Sequence, residues 1–221
     1  MRAVRVLCAV VLSAAALVAA GAATESAQAA GPRDIFFEYN NAIKGETIHA
    51  EGAIDSVGIR TVRLQYRTGT TGSWTTKLTT KSAVDGRFSF ETTDTKTHYW
   101  RYTVPAGGGK PGVIGLPKKL PVVSQKVEYF GVGYECSAAG KHLVTAWADF
   151  FPARQYRQVS FATPTGAKTG YQDPSGIARV TVTLEPGESS ASMKATASAA
   201  DGAPAISSVL RTIALPPCSP A

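Results

Sequence analysis

Past residue 60 the chain alternates apolar and polar residues in short runs, and that period of two predicts half-buried antiparallel strands. In Thr61-Val62-Arg63-Leu64-Gln65-Tyr66-Arg67 the residues Val62, Leu64 and Tyr66 share one face, with Arg63, Gln65 and Arg67 on the other. Arg87 to Glu91 repeats the scheme with Phe88 and Phe90, opened by Asp85-Gly86, a dipeptide suited to a tight turn. Tyr99 to Val104 sets Trp100, Tyr102 and Val104 against Tyr99, Arg101 and Thr103. Later runs are read from Val127 and Tyr129, from Leu143, Thr145 and Trp147, and from Val159 and Phe161. The cleanest places Val180, Val182 and Leu184 opposite Arg179, Thr181 and Thr183; Ser192 to Ala197 and Val209 to Leu215 close the series. Helical periodicity is absent from these stretches, so the expected fold class is all-β.

The stretch Pro105 to Gly112 holds two prolines and four glycines, and Pro117 and Pro121 prolong the interruption. A boundary is expected there, with one β-sandwich over 33–116, a linker over 117–122 and a second sandwich over 123–221. At the start, Arg2 and Arg5 precede an apolar run from Val6 to Ala20 and the small-residue site Ala27-Gln28-Ala29. That order is expected of a cleaved signal peptide, residues 1–29, and so of a secreted chain, extracellular or loosely associated with a cell wall. No later run is long and apolar enough to predict a membrane span in the mature chain.

The segments Lys44-Gly45-Glu46-Thr47, Ala50-Glu51-Gly52, Arg63 to Arg67, Gly72-Ser73-Trp74, Asp85 to Phe90 and Tyr99 to Tyr102 resemble a secreted actinobacterial immunoglobulin-like domain. Val159-Ser160-Phe161 and Asp173 to Val180 resemble bacterial immunoglobulin-like domains more loosely. The resemblance implies two immunoglobulin-like β-sandwich domains in tandem. It also implies a non-enzymatic role as a spacer, adhesive module or accessory part, and it carries no catalytic residues over.

Two cysteines remain after the expected cleavage, Cys136 and Cys218, and in an exported chain an even pair predicts a disulfide. The whole chain has a formal net charge of +7. Residues 31–120 hold 13 Lys and Arg against 8 Asp and Glu, whereas 121–221 hold 8 against 7, so the first half is the basic one. Parity places Arg63, Arg67, Arg87, Arg101 and Tyr99 on polar faces, and Trp74 follows a glycine turn. Together they form the candidate ligand face, able to hold phosphate or carboxylate groups bidentately. A solvated face is the competing reading. The partners expected are an anionic cell-wall polymer or a surface protein, with no nucleic acid.

His49, His98 and His142 fall in separate strands, with no HExxH or Cys-x-x-Cys spacing, so no metal site and no cofactor is expected. No Gly-x-Ser-x-Gly elbow occurs in the mature region, and no catalytic residue is assigned. Two other readings stay open: a secreted accessory protein or inhibitor docking on an enzyme, and an unrecognised hydrolase.

Overall fold

The computed structural model describes residues 34–55 and 58–218, so the expected signal peptide lies outside the described residues. Every helix-or-strand element among them is a strand, and none crosses a membrane as a helix.

The first ten strands are β1 (Ile35–Phe37), β2 (Ala42–Ile43), β3 (Thr47–Ala53), β4 (Thr61–Arg67), β5 (Thr75–Lys81), β6 (Arg87–Thr93), β7 (His98–Val104), β8 (Val113–Ile114), β9 (Lys118–Leu120) and β10 (Val122–Val123). One sheet runs β1-β3-β6 and the other β5-β4-β7-β8, with β9 also paired to β7. The alternation read from sequence fixes their facing sides. Val62, Leu64, Phe88, Phe90, Trp100, Tyr102 and Val104 are buried between the two sheets, together with Ile35, Ile48, Ala50 and Leu120.

The same plan recurs in β11 (Lys126–Cys136), β12 (His142–Phe151), β13 (Gln158–Thr163), β14 (Gly166–Tyr171), β15 (Ile177–Leu184), β16 (Ser190–Ala197), β17 (Ile206–Ser207) and β18 (Arg211–Ala214). Here β11-β12-β15 faces β14-β13-β16-β17, with β18 also on β16. Apart from β2 and β10, which have no counterpart, the two halves match strand for strand, as immunoglobulin-like β-sandwiches each closed around its own core. The turn before the sixth and fifteenth strands matches in detail. Ile54 N donates to Gly86 O and Phe150 N to Gly176 O, with both glycines at positive φ. A side chain at either glycine would run into the carbonyl oxygen of Ile54 or Phe150.

Three sequence expectations change. In β12 the residues pointing inward are His142, Val144, Ala146, Ala148 and Phe150, so Leu143, Thr145 and Trp147 lie on the outer face. Alanine hid the parity, because the second core is built largely from alanines and a pattern search weighted to large residues follows the wrong register. The edge strands β5 and β14 were not anticipated. Both are mostly exposed and so have no apolar face to read. Residues 117–122, expected as a linker, instead carry β9, whose Leu120 joins the first core, and the start of β10, paired in parallel with β2. Pro117 and Pro121 flank these short strands rather than interrupting them.

The two sandwiches meet through a buried ion pair. Arg154 Nε and Nη2 donate to Glu46 Oε1 and Oε2, each at 2.5 Å, with both side chains less than a tenth exposed. Arg154 Nη2 also donates to Asn41 O, and its guanidinium lies 4.1 Å from the centre of the Tyr39 ring. Burial, followed by the hydrogen bond with Glu38, pushes the Tyr39 hydroxyl up to about 12. Beside the pair, Thr47 N donates to Asp201 O at 2.5 Å, across from one half to the other. A buried pair of this kind adds little net stability over an apolar contact, but removing one partner strands the other charge, so it fixes geometry more than it glues.

Candidate functional site

The sheet β5-β4-β7-β8 with β9 contains seven Lys and Arg and not one Asp or Glu. Period two then sorts these residues. On β4 the outward positions are Arg63, Gln65 and Arg67, and register sets them against Thr103, Arg101 and Tyr99 of β7. Lys119 of β9 pairs with Tyr99 on the far side of that strand.

Trp74, just ahead of β5, lies against two of these cations. The guanidinium carbon of Arg101 is 4.1 Å from the centre of the Trp74 ring and that of Arg67 is 4.4 Å away. Both arginines and the indole are half-buried, which strengthens cation–π attraction by removing competing water. A relay across three strands orients Arg101: its Nε donates to Gln65 Oε1 at 3.0 Å, and Gln65 Nε2 donates to Thr76 Oγ1 at 3.3 Å. Arg67 Nε is buried without a protein partner. Burial first, and then the neighbouring Arg67 charge, lowers the Arg101 pKa. Among the described residues neither arginine has a carboxylate within ion-pair distance.

Of the expected ligand face, the structure brings together Arg63, Arg67, Tyr99, Arg101 and Trp74. Arg87 is elsewhere: it lies on β6 in the opposite sheet, exposed, 3.6 Å from Asp85. Parity alone shows that a residue points outward, not from which sheet it points. Lys119 escaped notice because it falls in the stretch expected as a linker. The histidines are all engaged. His49 approaches Glu91 at 3.5 Å, His98 pairs with Asp94 among the rings of Tyr66 and Trp100, and His142 Nε2 contacts Pro216 O.

Trp100 is core, as its parity indicated, and Trp147 lies flat on the second sandwich over Gly131, stacked beside Tyr129 at 6.2 Å between ring centres. The disulfide expected between Cys136 and Cys218 is formed, joining the end of β11 to the segment after β18.

No family profile matches the chain, and no curated protein matches it. Among solved structures it is similar to the D0-D1 domain of intimin, at 13% identity and a TM-score of 0.30, over 81% of this chain and 96% of that one. It is also similar to the human OSCAR ligand-binding domain, at 13% identity and a TM-score of 0.37, over 82% and 96%.

Proposed function

We propose that the chain is an exported, non-enzymatic interaction module that binds an anionic cell-wall polymer on the outer face of its first sandwich. The observation that carries this reading is the pairing of Arg67 and Arg101 against Trp74. Two like charges are held close together and half-desolvated, on a sheet without a single acid to neutralise them. Such an arrangement is costly while empty and is relieved when a phosphate or carboxylate arrives, which guanidinium groups accept bidentately. Trp74 restricts the side-chain freedom of both arginines, so less entropy is lost on binding. Arg63, Lys119 and Tyr99 extend the face along the sheet, matching a repeating polymer better than a single small ion.

The test is binding of the mature chain to a purified polyol-phosphate wall polymer, followed across salt concentration. Replacing Arg67 and Arg101 together by Glu is expected to weaken binding at least tenfold and to flatten its salt dependence. Replacing Arg87 and Arg179 together by Glu, an equal charge change on exposed positions away from this sheet, is expected to leave most of the affinity. Equal losses from the two variants would reduce the site to net charge, and no loss from the double variant would overturn the reading.

A further inference from the structure

A second chemically competent cluster lies at the opposite end of the chain, on the second sandwich. His142 opens β12 and is 2% exposed. Its Nε2 is 2.8 Å from the carbonyl oxygen of Pro216. A carbonyl can only accept, so Nε2 carries the ring proton and Nδ1 presents a bare lone pair. That Nδ1 is buried and has no hydrogen-bond partner. Tyr134 meets the ring edge-on, with centres 5.7 Å apart, and helps hold its plane. One ligand atom from each of His142, Cys136 and Cys218 lies within 4.8 Å of the other two. In the disulfide the sulfurs have no proton to offer, so the buried acceptor stays unsatisfied, a condition that in folded proteins calls for a reason.

We infer that the dithiol form of this chain binds one zinc ion through Cys136 Sγ, Cys218 Sγ and His142 Nδ1. The donor set of two thiolates and one imidazole suits a borderline-soft d10 cation, and zinc accepts three protein ligands with a fourth place for water. Cys136 is exposed, which gives the ion and that water a way in. The Pro216 carbonyl fills the role of the outer partner that fixes a ligating histidine in the correct tautomer. It belongs to the same short segment that carries Cys218, so one stretch of chain supplies both a ligand and the group orienting another.

The chemistry balances without further components. A dithiol reductant passes two electrons and two protons to the Cys136–Cys218 bond and becomes a cyclic disulfide itself, leaving two protein thiols. Zinc then displaces one proton from each thiol. The two sulfurs must part from bonding distance to about 3.8 Å to take tetrahedral positions around zinc. Residues 215–218 belong to no strand, so this movement breaks no sheet pairing. Metal and disulfide are therefore alternative closures of the same connection, between residues separated by 82 positions. Neither local spacing nor a motif reveals the site, because His142 follows Cys136 by one hairpin and Cys218 returns only through the last strand.

The test uses the whole mature chain, reduced, freed of reductant under argon and titrated with cobalt(II) as a spectroscopic stand-in for zinc. One equivalent is expected to give sulfur-to-cobalt charge-transfer absorption and the intense visible bands of a tetrahedral site, both erased by one equivalent of zinc. The disulfide form is expected to show neither. Replacing His142 by Ala is expected to weaken cobalt binding at least a hundredfold, and Cys136→Ser to abolish the charge-transfer bands. Should His142→Ala fail to fold, X-ray absorption of the zinc-loaded wild type replaces it, with two sulfurs and one imidazole expected in the first shell. A reduced chain that takes up no stoichiometric cobalt overturns the inference. So does a two-sulfur site without imidazole.

Discussion

In the first sandwich the inward pair Leu64 and Tyr102 places its bulk on β7; in the second, the corresponding pair Phe161 and Ala195 places it on β13. The two cores differ in composition as well. The first core holds Trp100, Tyr102, Phe88 and Phe90. The second relies on Phe150, Phe161 and Met193 set among six buried alanines: Ala146, Ala148, Ala178, Ala191, Ala195 and Ala197. One strand order thus tolerates opposite distributions of side-chain volume, provided each facing pair fills the gap between the sheets. The surfaces diverge as well. The sheets carrying β4 and β13 both lack acids, yet the first has seven basic residues in its strands and the second three, Lys168, Lys194 and Arg211. Among the described residues only the second half is cross-linked.

The largest effect is expected where bulk is removed without replacement. Tyr102→Ala should destabilise the first sandwich by about 4 kcal/mol in urea unfolding, since it empties a fully buried ring position and frees the Ala53 carbonyl from its hydroxyl. Adding Leu64→Phe, which copies the arrangement of the second half, should recover at least about 1 kcal/mol. No recovery would mean that strand identity, not facing-pair volume, governs the core.

Next comes the cross-link. Replacing Cys136 and Cys218 together by Ser, compared in the presence of a metal chelator, should lower the stability of the second sandwich by about 4 kcal/mol, given the length of the closed loop. The first sandwich, followed by the fluorescence of Trp100, should not respond directly. A smaller, matched loss tests the shared turn: Gly86→Ala and Gly176→Ala should each cost about 2 kcal/mol, because both positions have positive φ and face a backbone carbonyl. Unequal losses would show that the two turns are alike in outline only.

The smallest effect is an acid-side difference. Ser175 and the Ile177 and Ser175 amides bond Asp173 and hold its carboxyl below the usual range. Its folded pKa is depressed, so its contribution is complete above the ordinary carboxylate value of about 4 and disappears as pH falls through the lowered one. Asp173→Ala should remove that part of the pH dependence of unfolding and leave the slope unchanged near neutrality.

How much of this was legible in sequence depended on burial. Strands with one apolar and one polar face, such as β4, β6, β7 and β15, could be read because water and core impose a period of two. The edge strands β5 and β14 meet water along most of their length, and nothing in their residues registers a face. The inward alanines of β12 were hidden for the opposite reason, being buried yet too small to mark a pattern. Of the candidate site, parity found four residues of the basic face and a turn signal found Trp74. The misplacement of Arg87 shows that sheet membership is a long-range property. The Glu46–Arg154 pair joins residues 108 positions apart, and no local feature of either segment announces it.

That pair has a mechanical consequence. Any force applied to the first sandwich would reach the second in part through Glu46. There it meets a guanidinium anchored in the second sandwich, not a slack tether. Such a contact is expected to resist swivelling of one half against the other, and Arg154→Ala to loosen it, as small-angle scattering of the two chains would show.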